Sequence, residues 1–183
     1  MPATAVLEAP SPEVANAYRL AESYFGHVPN FVKVLGTNPA FCNSITEFCI
    51  EALGEGRVTW AFKELVILKT LRSSGSYYSY GAHEQLAAQL GNSPERMGDI
   101  NNSLWRTSEH FTDAEKAVFE LIEQTVEDAN AVGDEIWEPL LQHWNNGQLL
   151  ELNAVITTFL NLGRMFDTLG VSDPVLFTRD LPT

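Results

Sequence analysis

Apolar residues recur along the chain at intervals of three and four, and the runs begin and end at residues suited to helix termini. Ser11 and Pro12 open SPEVANAYRLAESYFG as N-cap and first helical residue, and Gly26 closes it. Asn38 and Pro39 repeat the device ahead of PAFCNSITEFCIEALG, which stops at Gly54. Thr59 caps WAFKELVILKTLRSSG, and Gly75 ends it. From Tyr77 to Leu90 the residues Tyr80, His83, Leu86, Ala87 and Leu90 fall at helical spacing, with Gly91 in the terminating position. Ser93 and Pro94 start a further short helix, and Thr112 with Glu115 spells a capping box. Pro139 removes a helical hydrogen bond unless it lies in a first turn, so the regular helix there is expected to begin near Glu138. The last element, QLLELNAVITTFLNLGRMFDTLG, is apolar on more than one face, which suits a helix buried against several others or in a subunit interface.

No alternating run of strand length accompanies these segments, so the pattern predicts an all-α domain of about seven helices. GHVPNFVKVLGTNP and EALGEGRVT read as turns between helices, too short to be domain linkers. The expected division is an N-terminal arm and helix over 1–27, a helical domain over 28–171 and a tail over 172–183. A chain of 183 residues buries about 70% of its unfolded surface, so folding requires neither disulfide nor metal.

A net charge of -13 with eleven scattered Lys and Arg argues against nucleic acid and against anionic membrane surfaces. The start, MPATAVLEAPSPEV, shows no basic segment leading into a long apolar run, and a cytoplasmic location is expected. Cys42 and Cys49 lie seven residues apart, about 10 Å along one helix, too far for a bridge. They are expected to be buried, unpaired thiols packing as small hydrophobes.

One acid, Glu64, interrupts the apolar run FKELVILK. Enclosure of that helix would bury the carboxyl, and a buried carboxylate requires a charged or hydrogen-bonding partner; the other reading places Glu64 at the surface, facing the helix dipole. In the next helix Ser79 and His83 are one turn apart on the same side, with Ser76 three residues earlier at the helix start.

The order Glu64, Ser76, Ser79, His83 resembles the core motif of the AhpD-like, or carboxymuconolactone decarboxylase-like, family, whose peroxidase members carry Cys-x-x-Cys-x-x-x-His after a KEL glutamate. VPNFVKVLGTNP, LAAQLG and FLNLGRMFDTLGV are similar to further family segments, so the resemblance runs from about Val28 to Val171. It implies an AhpD-like helical domain in which Ser79 takes the place of the attacking cysteine and Ser76 that of the resolving one. Glu64 and His83 take the proton-relay places, and Tyr78 sits between the two serines, at a substrate-binding position. It also implies a small-molecule substrate or ligand and assembly as a trimer or hexamer; no cofactor and no metal are expected.

Serine changes the chemistry expected of that motif. A thiol of pKa near 8.5 can be held as thiolate and pass reversibly through a sulfenic acid, and a hydroxyl does neither. The dithiol peroxidase route is therefore closed to this chain. An engineered double substitution, a natural member that binds or converts another small molecule, and the decarboxylase branch, which handles lactones without a dithiol, all accommodate the serines.

A Ser, His, Glu hydrolase is disfavoured because a helical serine lacks the strained turn that exposes a nucleophile. Glu64 and His83 could offer two metal ligands, but His27, His110 and His143 stand in unrelated segments and read as exposed or capping residues. Trp60, Trp105, Trp137 and Trp144 read as core or subunit contacts.

Overall fold

The computed structural model describes residues 11–77 and 80–171, and among them the chain forms nine α-helices, one short 3-10 turn and no strand. In order these are α1 (Ala15–Phe25), α2 (Asn30–Leu35), α3 (Pro39–Ala52), α4 (Trp60–Ser74), α5 (Tyr80–Gln89), α6 (Pro94–Asn101), α7 (Asp113–Asp128), α8 (Asp134–His143) and α9 (Asn146–Leu169). Expected caps are present: the side chains of Asn38, Thr59 and Ser93 accept from the backbone N–H groups of Phe41, Phe62 and Arg96. Thr112 and Glu115 form the reciprocal capping box, and a second box, Asn145 with Gln148, starts α9.

The structure departs from the sequence reading where packing outweighs local signals. Ser11 does not cap α1: residues 11–14 form one turn, and α1 starts after Val14, whose complete burial fixes the entry of the chain. The segment read as a turn before Asn38 holds α2, a six-residue helix that sinks Val32, Val34 and Leu35. α5 begins at Tyr80, not Tyr77. Gly75 turns left-handed at φ 69°, and the Ser76 N–H bonds back to the Leu71 carbonyl at 3.0 Å, so Ser76 closes α4 instead of opening α5. α8 begins at Asp134, with Pro139 inside it. The lost hydrogen bond is tolerated because Ile136, Trp137 and Leu140 pack on the core, and Asp134 and Glu135 face the positive end of the helix dipole.

α4 organises the domain. It buries eleven of its fifteen residues, so it has no solvent face, and α5, α6, α7 and α9 surround it. Leu65, Val66, Ile67 and Leu68 join Phe119, Ile122, Leu152, Val155 and Ile156 in the larger apolar cluster. Full burial of each such side chain contributes about 1.5–3 kcal/mol. A second cluster joins α1, α2 and α3 to the far end of α9 through Ala17, Tyr18, Val32, Cys42, Cys49, Leu162 and Phe166. α9 belongs to both, which is why its sequence is apolar on more than one face. No helix among the described residues is long and apolar enough to cross a membrane.

Candidate functional site

The seam where α9 passes from one cluster to the other holds a cavity of about 80 Å³. Its walls are mainly aromatic and aliphatic: Tyr24 and Phe25 from α1, Phe31 from α2, Trp60 from α4, Leu86 from α5, and Phe159, Leu162, Gly163 and Phe166 from α9. The tyrosine and tryptophan rings lie 5.9 Å apart, and Phe31 packs on Phe166 at 5.6 Å. Polar groups in the lining come from Glu64, His83, His27, Cys49 and the two rings with polar tips; among the described residues no Lys or Arg takes part.

Glu64 is completely buried, so the surface reading of this residue is excluded. Both its oxygens are engaged: the Trp60 indole N–H donates to Oε1 at 3.0 Å, and His83 Nδ1 lies 2.7 Å from Oε2. Trp60 precedes Glu64 by four residues and shares its helix face, while α5 delivers His83 from the next element. Burying a carboxylate is costly unless its lone pairs are answered, and these two donors answer them. A carboxylate acceptor at Nδ1 assigns the ring proton there, leaving Nε2 as the nitrogen through which the imidazole can act on a ligand. The edge-to-face contact of His83 with Phe159, centroids 4.8 Å apart, holds the ring in place. His83 keeps 13% of its side chain exposed against none for Glu64, so the histidine stands between the carboxylate and solvent.

The other expected site residues are placed differently. Ser76 is 2% exposed and its hydroxyl has no hydrogen-bond partner among the described residues. It lies beside Gly163 of α9: a Cβ there would come within 2.7 Å of Ser76 Oγ. Gly163 thus faces the cavity while making room for Ser76, which does not itself belong to the lining. Ser76 lies outside any helix, which corrects the premise used above against a hydrolase; its burial and the absence of any bond to His83 leave it unactivated all the same. Ser79 and Tyr78 lie outside the described residues.

Cys42 and Cys49 are free and buried, as expected. Burial pushes the Cys49 thiol up to about 12, and it raises Cys42 as well, so neither is poised as a thiolate. Among the described residues no three His, Cys, Asp or Glu side chains gather as a metal-ligand set.

Sequence reasoning missed Trp60 and His27 as parts of the site. The tryptophan had one available signal, its place one turn before Glu64. His27 had none: it is half-buried in the connection between α1 and α2, lines the cavity, and has an Nδ1 with no hydrogen-bond partner.

No protein-family model and no curated protein matches the chain. Solved structures do. The debrominase Bmp8, known in its apo form and as a cysteine-to-alanine variant in complex with 2,3,4-tribromopyrrole, matches with a TM-score of 0.78 at 17% identity, over 94% of this chain and 91% of that one. A peroxidase-related protein from Silicibacter sp. TM1040 matches with a TM-score of 0.78 at 17% identity, over 95% and 94%. An alkylhydroperoxidase AhpD core from Ralstonia eutropha JMP134, also peroxidase-related, matches with a TM-score of 0.78 at 16% identity, over 93% and 90%. The chain has the AhpD-like fold. Within this AhpD-like fold α4 and α5 carry the Glu64–His83 pair, α1 and α2 close one wall, and α9 floors the cavity.

Proposed function

We propose that this AhpD-like protein is a small-molecule acid–base site without dithiol redox chemistry. The observation that carries the reading is the buried Glu64–His83 pair, 2.7 Å apart, in the wall of an aromatic-lined cavity. Glu64 holds the imidazole in one tautomer and steadies the positive charge that develops when Nε2 takes a proton, the division of labour common to carboxylate–histidine pairs. Trp60 holds the carboxylate from its other side. Desolvation strengthens both interactions, since little water competes in an apolar cavity.

Two features favour this reading over a thiol peroxidase. The motif positions are Ser76 and Ser79, and the two cysteines that remain are buried thiols, one held up to about 12. That the debrominase of the same fold holds a small halogenated aromatic ring supports a compact apolar ligand here as well. A homo-oligomer, trimer or hexamer, belongs to the same proposal. Phe41 and Phe48, 61% and 53% exposed, are seven residues apart on α3 and offer an apolar face for it. Light scattering at monomer mass removes that part.

The test compares hydroperoxide consumption by the native chain and by Ser76→Cys/Ser79→Cys, with a dithiol reductant. The native chain is expected to show none; consumption by the native chain at the rate of the cysteine variant overturns the exclusion of redox chemistry. Proton transfer is tested by solvent-deuterium incorporation into small lactones and hydroxyaromatics. Incorporation should disappear in His83→Ala and Glu64→Gln, and incorporation that survives both rejects the assigned roles.

A further inference from the structure

One pair sets the charge of the cavity. Glu64 is a carboxylate with both oxygens engaged, and the His83 proton that faces it sits on Nδ1, so the two side chains together carry one negative charge. Cys49, held up to about 12, lines the same space as an uncharged thiol. Among the described residues no Lys or Arg joins the lining, and Lys63, the cation next to Glu64 in sequence, is committed to Glu151. A negative charge enclosed by apolar side chains is weakly screened, and it acts across the imidazole on whatever meets the far side of the ring.

That far side offers an acceptor. His83 Nε2 has no hydrogen bond to a described residue and is not among their buried, unpartnered atoms, so it keeps accessible surface where the ring lines the cavity. Its lone pair calls for an N–H or O–H donor. The carboxylate behind it favours a donor that is itself positive, because charge-assisted hydrogen bonds are about twice as strong as neutral ones. The rest of the lining favours the same sign: six aromatic side chains take part, from Tyr24 on α1 to Phe166 on α9, and aromatic faces attract cations. A primary ammonium would bring three N–H groups to this one acceptor and leave two unanswered. A tertiary ammonium brings one, and its alkyl groups suit the rings.

We infer that the cavity binds a tertiary ammonium with a ring-sized apolar body, its single N–H donating to His83 Nε2 with the Glu64 charge behind it. Alkylamines are more basic than imidazole, so the proton stays on the ligand nitrogen. Carboxylates are rejected, since their charge repeats that of Glu64. A chain of net charge -13 also gathers cations around itself and repels anions. This rests on the acid–base reading of the pair, whose tautomer it uses, and adds the charge and head group of the ligand.

The test measures dissociation constants near pH 7.5 for N,N-dimethylbenzylammonium, benzyl alcohol and phenylacetate, with the native chain, Glu64→Gln and His83→Ala. The native chain is expected to bind the ammonium about tenfold tighter than the alcohol, the margin of a charge-assisted over a neutral hydrogen bond, with phenylacetate weakest. Glu64→Gln removes the charge and turns Nε2 into a donor, so the ammonium should fall below the alcohol, whose oxygen can accept instead. Native binding of the alcohol as tight as that of the ammonium, or an ammonium preference that survives Glu64→Gln, overturns the inference. Should Glu64→Gln not fold by circular dichroism, the native order of the three compounds decides. Alcohol binding that is lost in His83→Ala, with no native preference for the ammonium, leaves the acid–base reading standing without this extension. Alcohol binding unchanged by His83→Ala sinks that reading and the inference with it. No binding of any of the three compounds overturns the inference, and deuterium incorporation then judges the acid–base reading alone.

Discussion

Lys63 and Glu64 are neighbours on α4, both charged by type and both buried, and they lead to different ends. Successive helical residues point about 100° apart. Lys63 turns toward α9 and the end of α3, where it pairs with Glu151 and donates to the Ala52 carbonyl at 3.2 Å. Glu64 turns to the cavity, where it meets Trp60 and His83. The partners of Lys63 are spent on tying helices together. The partner of Glu64 keeps a second nitrogen that no contact among the described residues consumes. A buried charge therefore marks a site when its partner retains a free valence facing a cavity, and burial alone does not tell the two cases apart.

The largest effect that probes this contrast is expected from Lys63→Ala. It strands Glu151 and a backbone carbonyl, and should lower unfolding stability by about 3 kcal/mol in denaturant titration. Glu64→Gln should do far less to stability, about 1 kcal/mol, because His83 can exchange tautomers and accept from the new amide. The exchange puts the proton on Nε2 and should show in the nitrogen chemical shifts of the ring, together with loss of deuterium incorporation. Equal destabilisation by the two variants would erase the distinction between tie and site.

Gly163→Ala is expected to lie between them, at about 2 kcal/mol, since its Cβ would meet Ser76 Oγ at 2.7 Å and Ser76 Cβ at 3.0 Å. Calorimetry of Ser76→Ala sharpens the point: removing a buried hydroxyl without partners should leave stability unchanged or raise it by up to about 1 kcal/mol. A clear loss would mean that the hydroxyl has a partner after all.

The smallest effect is on pH. Burial by itself raises the Glu151 carboxyl, but hydrogen bonds from Lys63 and the Arg57 N–H outweigh it and hold the group below the usual carboxylate range. A carboxyl held lower in the folded chain than in the unfolded one adds stability above its unfolded value of about 4.3. That stability is lost as pH falls through the folded value. Glu151→Gln should therefore flatten the acid limb of the stability profile. Glu123 is held low in the same way by Lys69 and Arg106 against burial, so the limb should flatten only in part.

Helix termini were readable because their determinants are local. Asn38 with Pro39, Thr59, Ser93 with Pro94, and Thr112 with Glu115 act within one turn, and Gly75 and Gly170 leave their helices left-handed whatever packs nearby. The exceptions have a common cause. Val14, the α2 residues Val32 and Leu35, and the α8 pair Ile136 and Trp137 dock on distant elements, and that burial moved helix starts away from Ser11, created α2 and admitted Pro139. In the site, the pairing of Glu64 with His83 could be anticipated from the motif order, whereas Ser76 left the helix it was expected to share with His83.

The sequence by itself determined the helical class, most helix ends and the isolated acid in an apolar helix, because each follows from nearest neighbours along the chain. Only the tertiary structure decided that Glu64 is buried, that an indole and an imidazole hold it, and that His27 reaches the same cavity. The cavity gathers residues as far apart in the chain as Tyr24 and Phe166, and α9 floors it. Local spacing carries no information about such a meeting; it is set by which apolar faces bury one another.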